Sequence, residues 1–454
     1  MTYEEAIRYL NSFLNYEQVV TYRYPEAFSL DRITRLLERL GNPHRRYPTL
    51  HVAGTKGKGS TCAFAASILR AAGHRVGLYT SPHLISFQER FQIDGQPIPE
   101  EALVRVVEKI RPFADRDLTY FEITTACAFL YFALAKVEAA VIEVGLGGRL
   151  DATNVLAPAV AAITPISLDH MTKLGDTVEQ IAREKAGIIK PGVPLVMAAQ
   201  EPAASGVIKE AASAHGAPLH AVEQEVKVEA VDADRHGTRC NLQTPTGFYP
   251  DLFIPLLGRH QVMNAATAIR MVELLAERDR ELSLSKESIR EGIARTSWFG
   301  RCQWFDGTPP VLLDGAQNAA SAKVLVDTVQ ELFPGRRVTL VLGISLDKDL
   351  EGIARLFGPW ADRLVLTRAD VPRAESPERL AEIFRLWHPD PLILDSVPVA
   401  LDRAKMETPP NGLMVVSGSL FVVGEALQCL SPFDKLRANG PSCGAGASRT
   451  GFLR

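Results

Sequence analysis

Residues Gly54 to Ser60 read G-T-K-G-K-G-S. They join an apolar stretch, Leu50-His51-Val52-Ala53, to a run from Thr61 to Ala72 whose apolar residues recur at helical spacing. A strand that passes through glycines into a helix leaves backbone N–H groups at a helix N-terminus, where the helix dipole favours phosphate oxygens. Lys58 adds a full positive charge, and the hydroxyls of Ser60 and Thr61 are placed to reach a phosphate-bound Mg²⁺. The spacing departs from G-x-x-x-x-G-K-[ST]: Val52 stands where the first glycine belongs, and Gly59 separates Lys58 from Ser60. Alone, the loop specifies a nucleotide-binding α/β protein and no particular reaction. The plainer alternative is a glycine-rich turn with exposed lysines.

The flanking pattern supplies a β-α-β unit and hence parallel strands, because Gly73 stops the helix and Arg75 to Thr80 reads as the next strand. Ser81-Pro82-His83 follows directly. Helices over Glu100 to Ile110 and Phe121 to Ala135 lead into a buried-type strand, Ala139 to Val144, and a further strand runs from Val160 to Ile166. Open parallel sheets bind ligands beyond the carboxyl ends of their strands, which is where Ser81, Glu143 and His170 fall. Before the loop, Thr2 to Leu14 and Asp31 to Leu40 have helical patterns. Ser29 or Asp31 is placed to cap the second, and Gly41-Asn42-Pro43 ends it.

A helix over Thr177 to Ala186, with Asp176 and Glu179 in the positions of a capping pair, puts Lys185 on the same face as Val178, Ile181 and Ala182. A lysine buried there needs a partner, a lowered pKa or a covalent change that removes its charge. Otherwise its stem lies along the surface and its ammonium reaches water. Val193 to Leu256 is more strand-like, with turns at residues 234–237 and 244–247. Gly258 to Gln261 opens a helix that carries Asn264. Beyond Trp298 to Arg301, strand patterns at residues 311–313, 338–342, 364–366, 392–394 and 413–416 alternate with helical ones.

A chain of 454 residues exceeds one ordinary core, and this rhythm divides it into 1–298 and 299–430. The Gly-, Ser- and Arg-rich tail, 431–454, has no periodic face and reads as disordered. A formal charge of −3 gives no reason to expect nucleic acid. Six cysteines without C-x-x-C spacing argue against a zinc site or a disulfide framework and for a reducing, cytoplasmic setting. Met1 to Leu14 lacks a signal-peptide core, and no stretch approaches the ~20 uncharged apolar residues that span a bilayer, so no membrane partner is expected.

Ordered strings along the chain carry a resemblance. They are H-V-A-G-T-K-G-K-G-S-T at His51, T-S-P-H-L at Thr80, F-E at Phe121, E-V-G-L-G-G-R-L-D-A-T-N at Glu143 and L-D-H at Leu168. E-K-A-G-I-I-K at Glu184, L-G-R-H-Q at Leu257, L-D-G-A at Leu313 and S-G-S-L-F at Ser417 complete the series. Together they resemble the folylpolyglutamate synthase/dihydrofolate synthase family of the ATP-dependent Mur ligase superfamily. The resemblance implies an N-terminal P-loop ATPase domain with a parallel-rich sheet, which binds ATP and folate. It also implies a smaller Rossmann-like α/β C-terminal domain that binds glutamate. The implied protein is a cytoplasmic monomer that joins L-glutamate to a folate or to dihydropteroate through an acyl phosphate, releasing ADP and phosphate.

By position, the resemblance implies that Gly57, Lys58, Gly59 and Ser60 hold the ATP phosphates, with Asn264, Arg301 and Asp314 reaching ATP across the domain junction. Ser81, Glu143 and His170 would bind Mg²⁺. A carbamylated Lys185 would bind a second ion, and Lys58, Glu143, His170 and Lys185 would form the catalytic set. Asp31, Arg32, Phe121, Glu122, Leu150 and Asp151 match the pterin region, and Gln317 and Ser417 the glutamate site. Two residues depart from the pattern: Lys56 replaces the usual loop asparagine, and Gln317 replaces a histidine associated with glutamate placement. Gln317 hydrogen-bonds but carries no charge. The competing readings are a cell-wall Mur ligase acting on a UDP-linked muramyl substrate and a degenerate nucleotide-binding regulatory protein. Against the first, about 50 residues precede the loop, little room for a separate UDP-binding domain.

Overall fold

The computed structural model describes residues 1–19, 24 and 27–430; the expected disordered tail, 431–454, lies outside the described residues. The apolar stretch before the glycine loop becomes β1 (Thr49–Ala53), every residue of which is buried. After it come β2 (Val76–Tyr79), β3 (Phe91–Ile93), β4 (Gln96–Pro97), β5 (Ala139–Glu143), β6 (Val160–Ile163), β7 (Leu195–Met197) and β8 (Leu219–Ala221). These eight form one sheet in the order β4-β3-β2-β5-β1-β6-β7-β8. Pairing is parallel from β2 to β8, and only β3 and β4 run antiparallel at one edge.

Burial on both faces explains why the central strands read as continuous apolar runs rather than alternating ones. Alternate residues serve different cores: Val141 packs with Phe64, Ile68 and Leu69 of the helix Lys58–Ala71, while Ala140 and Ile142 pack with Phe129 and Phe132 of the helix Tyr120–Ala135. The phosphate loop therefore leaves the middle of a sheet clamped from both sides.

Two local expectations are corrected. The stretch read as strand-like from Val193 contains a helix, Pro202–Ala214, with five alanines in its 13 residues; only Ala204, Ile208 and Ala212, one per turn, are buried, so its apolar period is faint. Beyond it the reading holds, as β9 (Lys227–Asp234), β10 (Gly237–Gln243) and β11 (Phe248–Ile254) form an antiparallel three-stranded sheet. The helix carrying Lys185 spans Val178–Ala186 and is capped by Thr177 with Gln180, not by Asp176 with Glu179. Gln180 Oε1 accepts from both the Asp176 and Thr177 N–H groups, which places the cap one residue later.

The C-terminal half is a second α/β unit. Strands β12 (Gln303–Phe305), β13 (Val311–Leu313), β14 (Val338–Leu342), β15 (Arg363–Leu366), β16 (Leu392–Ile393) and β17 (Leu413–Ser417) take the order β12-β13-β17-β14-β15-β16. All pair in parallel except the edge strand β12. Among the described residues no helix is long and apolar enough to cross a membrane.

Several histidines of the N-terminal half, His44 and His51 among them, make stability depend on pH. His44 and His51 are buried, and His51 Nε2 lies 2.8 Å from Thr153 Oγ1. Burial pushes His44 down to about 4 and His51 to about 3. An unfolded histidine protonates near pH 6.5, so below that pH the unfolded chain binds protons that the folded chain refuses. Stability is then full above pH 6.5 and falls as the pH drops toward 4 and 3, each histidine costing ~1.4 kcal/mol for every pH unit crossed in that window. We expect the urea midpoint to decline steadily between pH 6.5 and 4; a flat midpoint there would show that both rings charge in the folded state.

Candidate active site

The loop is held from below and from one side. Thr55 and Lys56 N–H both donate to Pro165 O, at 3.0 and 3.1 Å, so the chain leaving β6 supports the turn. Gly57 caps the helix Lys58–Ala71 with φ +81°, and a Cβ there would fall 2.3 Å from Asn264 Oδ1. Glycine is thus required twice, by the left-handed backbone and by the close approach of Asn264. Gly59 faces Trp298 in the same way, with a Cβ position 3.1 Å from the indole. Ser60 and Thr61 are buried in the first turn, and Thr61 Oγ1 has no hydrogen-bond partner among the described residues.

Two lysines converge on one acceptor. Lys185 Nζ donates to Gly54 O at 2.8 Å, and Lys58 Nζ donates to the same oxygen at 3.2 Å. Lys185 is only 5 % exposed, and burial, then the Lys58 charge, push it down to about 7. A substantial share of Lys185 is therefore a neutral amine near neutral pH.

Glu143, the last residue of β5, is buried beside this pair, and its Oε2 accepts from Ser81 N–H at 3.1 Å. Burial raises its pKa while the Lys58 charge opposes the rise. Among the described residues no three histidine, cysteine, aspartate or glutamate side chains converge as a metal cage. The donors that are present suit Mg²⁺, which takes one or two carboxylates and fills its remaining positions with water and phosphate oxygens. Glu143 and the unpartnered Thr61 hydroxyl meet that requirement. His170 belongs to a different group of charges: its Nδ1 lies 3.6 Å from Asp347 Oδ2 and its Nε2 4.0 Å from Asp169 Oδ1. Burial and the Lys348 charge keep the ring neutral.

At the junction, Asn264 Nδ2 donates to Gln261 Oε1 at 2.9 Å, and Asp314 Oδ2 accepts from Cys302 N–H at 2.9 Å. Arg301 lies against Gly315, where a Cβ would fall 2.6 Å from its Nη1. Gln317 is half-buried with its N–H on Ser321 Oγ, whereas Ser417 is fully buried and its hydroxyl points to Ala316 O.

The pterin-region residues behave unequally. Arg32 Nε reaches both oxygens of Glu122, at 3.0 and 3.1 Å, and Glu122 also accepts from the Thr119 N–H that it caps. Asp31 is exposed, Leu150 is half-buried, and half-buried Phe121 packs against Gly145. The Asp151 carboxylate accepts from the N–H groups of Gly145, Leu146 and Thr153 and from the Thr153 hydroxyl, so it braces the turn after β5.

Two groups escaped the sequence reading. Asp169 gathers Lys348 and Asn318 from the C-terminal half, although only its neighbour His170 was singled out in the L-D-H string. Glu17, His83 and Arg90 line a cavity of about 380 Å³ with Tyr120 and Arg373; the T-S-P-H-L string contained His83 as a signal.

A family profile described as the Mur ligase middle domain matches residues 52–272, and one described as the Mur ligase glutamate ligase domain matches 300–420. Phosphate loop, converging lysine pair and second α/β unit are those of a two-domain ligase of the Mur type. The chain is 36% identical over 408 residues to the dihydrofolate synthase/folylpolyglutamate synthase of Bacillus subtilis, covering 87% of this chain and 93% of that protein. It is 35% identical to the Escherichia coli protein of the same name, with coverages of 90% and 92%. Folylpolyglutamate synthase of Mycobacterium tuberculosis complexed with ADP aligns with a TM-score of 0.86 at 32% identity, over 94% of this chain and 97% of that one. The chain belongs to the folylpolyglutamate synthase/dihydrofolate synthase family.

Proposed function

We propose that the protein is an ADP-forming ligase that joins L-glutamate to folates and to dihydropteroate, with residues 1–298 binding ATP and the acceptor and residues 299–430 binding glutamate. The observation that carries this reading is the convergence of Lys58 and Lys185 on Gly54 O beside the buried Glu143. That arrangement sets the Lys58 charge where a nucleotide's terminal phosphates would lie and relies on charge neutralisation rather than on a side-chain nucleophile attacking the substrate, as phosphoryl transfer requires. The substrates are supported by a solved structure of a folylpolyglutamate synthase complexed with AMPPCP and folate, which is 32% identical to this chain.

In this reading the loop N–H groups, Lys58 and Ser60 hold the phosphates, with Asn264, Arg301 and Asp314 closing from the other side. The acceptor carboxylate attacks the γ-phosphorus, the bond to the bridging oxygen breaks, and ADP departs. The glutamate amine then attacks the acyl carbon, phosphate leaves, and the nitrogen loses a proton. Gln317 orients the amino acid by hydrogen bonding alone. Enclosure by the two halves keeps water from the acyl phosphate. Glu143, Ser81 and the Thr61 hydroxyl, with Lys185 once carbamylated, would hold Mg²⁺, and His170 stands apart from them beside Asp169 and Asp347. When bound, Mg²⁺ neutralises charge on the phosphate oxygens.

Carbamylation suits the Lys185 environment, because the neutral amine attacks CO₂, forms an N–C bond and releases one proton. We expect a carbamate signal in ¹³C NMR after equilibration with labelled bicarbonate, and none from Lys185→Arg; equal spectra would remove the modification. The five described cysteines are free, in keeping with a reducing cytoplasm, and a dimer mass in light scattering would overturn the monomer reading.

The deciding experiment is product mass spectrometry with ATP, Mg²⁺ and L-glutamate, offering dihydropteroate in one tube and tetrahydrofolate in another. A glutamyl increment in both is expected. An increment in one alone would restrict the reading to that half, and nucleotide binding without any increment would leave a binder rather than a ligase.

A further inference from the structure

Lys56 reaches from the phosphate loop to the C-terminal half. Its backbone belongs to the loop, but its ammonium crosses to the C-terminal half and lies 3.4 Å from Ser321 Oγ and 3.8 Å from Asp169 Oδ2. Asp169 is the meeting point: Lys348 Nζ donates to its Oδ1 at 2.8 Å and Asn318 Nδ2 to its Oδ2 at 3.1 Å. One carboxylate from the N-terminal half thus binds two groups of the C-terminal half and draws Lys56 toward both.

The receiving element is well defined. Asn318 and Ser321 form the capping box of the helix Ala319–Leu332, and Ser321 Oγ accepts from the N–H groups of Gln317 and Asn318, each at 3.1 Å. The turn just before that helix carries Asp314 and Gln317. Whatever fixes the helix start fixes that turn relative to the phosphate loop. Burial and the neighbouring cations Lys348, Lys58 and Arg301 oppose the Lys56 charge while Asp169 favours it, so the ammonium depends on that carboxylate.

We propose that Lys56 is a positioning residue: through Asp169 and Ser321 it docks the start of the helix Ala319–Leu332, and the Asp314–Gln317 turn with it, over the phosphate loop. The proposal rests on the ligase reading for its kinetic consequence, but the docking itself is measurable without turnover. Lys56→Met keeps the stem and removes the charge. It should lower kcat about tenfold, leave ADP affinity within about twofold, and speed hydrogen exchange at the amides of residues 317–322. Lys56→Arg should restore protection and most of the rate. Ser321→Ala, at the far end of the same contact, should reproduce part of the loss, and combining it with Lys56→Met should add little.

Two results would overturn the proposal. One is an ADP affinity that falls as far as turnover in Lys56→Met, which would make Lys56 a phosphate ligand. The other is unchanged exchange at residues 317–322 in Lys56→Met, because Ser321→Ala removes the acceptor of the Gln317 and Asn318 N–H groups whatever Lys56 does. If the unaltered protein binds ADP but forms no glutamylated product, the ligase reading fails, while the exchange comparison still decides the docking.

Discussion

Replacing Lys58 with alanine is expected to lower kcat/KM for glutamylation by about 10³-fold, or ~4 kcal/mol of transition-state stabilisation. Lys58 opens the helix Lys58–Ala71, and its ammonium rests 3.2 Å from Gly54 O. That contact holds the charge next to where phosphate oxygens would arrive. Lys56, the other lysine of the loop, is engaged with Asp169 and Ser321, and Lys185 carries only part of a charge because burial pushes it down to about 7. The same variant has a second readout. Removing Lys58 removes a like charge that pushes the Lys185 pKa down, so less neutral amine remains near pH 7 and the carbamate signal should shrink. Retention of more than a tenth of the activity would mean that the loop N–H groups suffice.

Glu17→Ala should cost about 3–5 kcal/mol of stability, because it strands a buried charge. Arg90 is 1 % exposed; its Nη1 and Nη2 donate to Glu17 Oε1 and Oε2 at 2.8 and 2.6 Å, and its Nε donates to His83 Nδ1 at 2.9 Å. Without the carboxylate, the guanidinium keeps that neutral imidazole and the faces of Tyr120 and Phe87, 5.6 and 5.9 Å from their centroids. These do not replace a bidentate anion. Urea unfolding should therefore place Glu17→Ala far below the unaltered protein. Glu17→Ala combined with Arg90→Met should recover part of the loss, since the stranded charge leaves with the arginine. A single variant within about 1 kcal/mol of the parent would show that water reaches Arg90.

The features legible in the sequence are those set by neighbours along the chain. The loop between β1 and its helix, the carboxylate at the end of β5 and the buried face of Lys185 all follow from periods of two or 3.6 residues. The Asp176 cap went one residue astray because D-x-x-E and T-x-x-Q overlap, and only Gln180 reaching back to two N–H groups separates them. Asp151 matches the pterin region through the resemblance alone, and the backbone N–H groups its carboxylate accepts from are displayed by no sequence. The contacts of Asp169 with Lys348 and Asn318 join residues more than a hundred positions apart, and no local period encodes them.

Lys56 Nζ and Gln317 N–H both meet Ser321 Oγ. The loop residue that departs from the expected asparagine and the turn that carries Gln317 therefore border one hydroxyl, the first through its side chain and the second through its backbone. The halves of this chain are consequently not freely exchangeable parts. A chimera that grafts a relative's C-terminal half onto this phosphate loop would keep the Lys56 contact only if a hydroxyl stands at the position of Ser321.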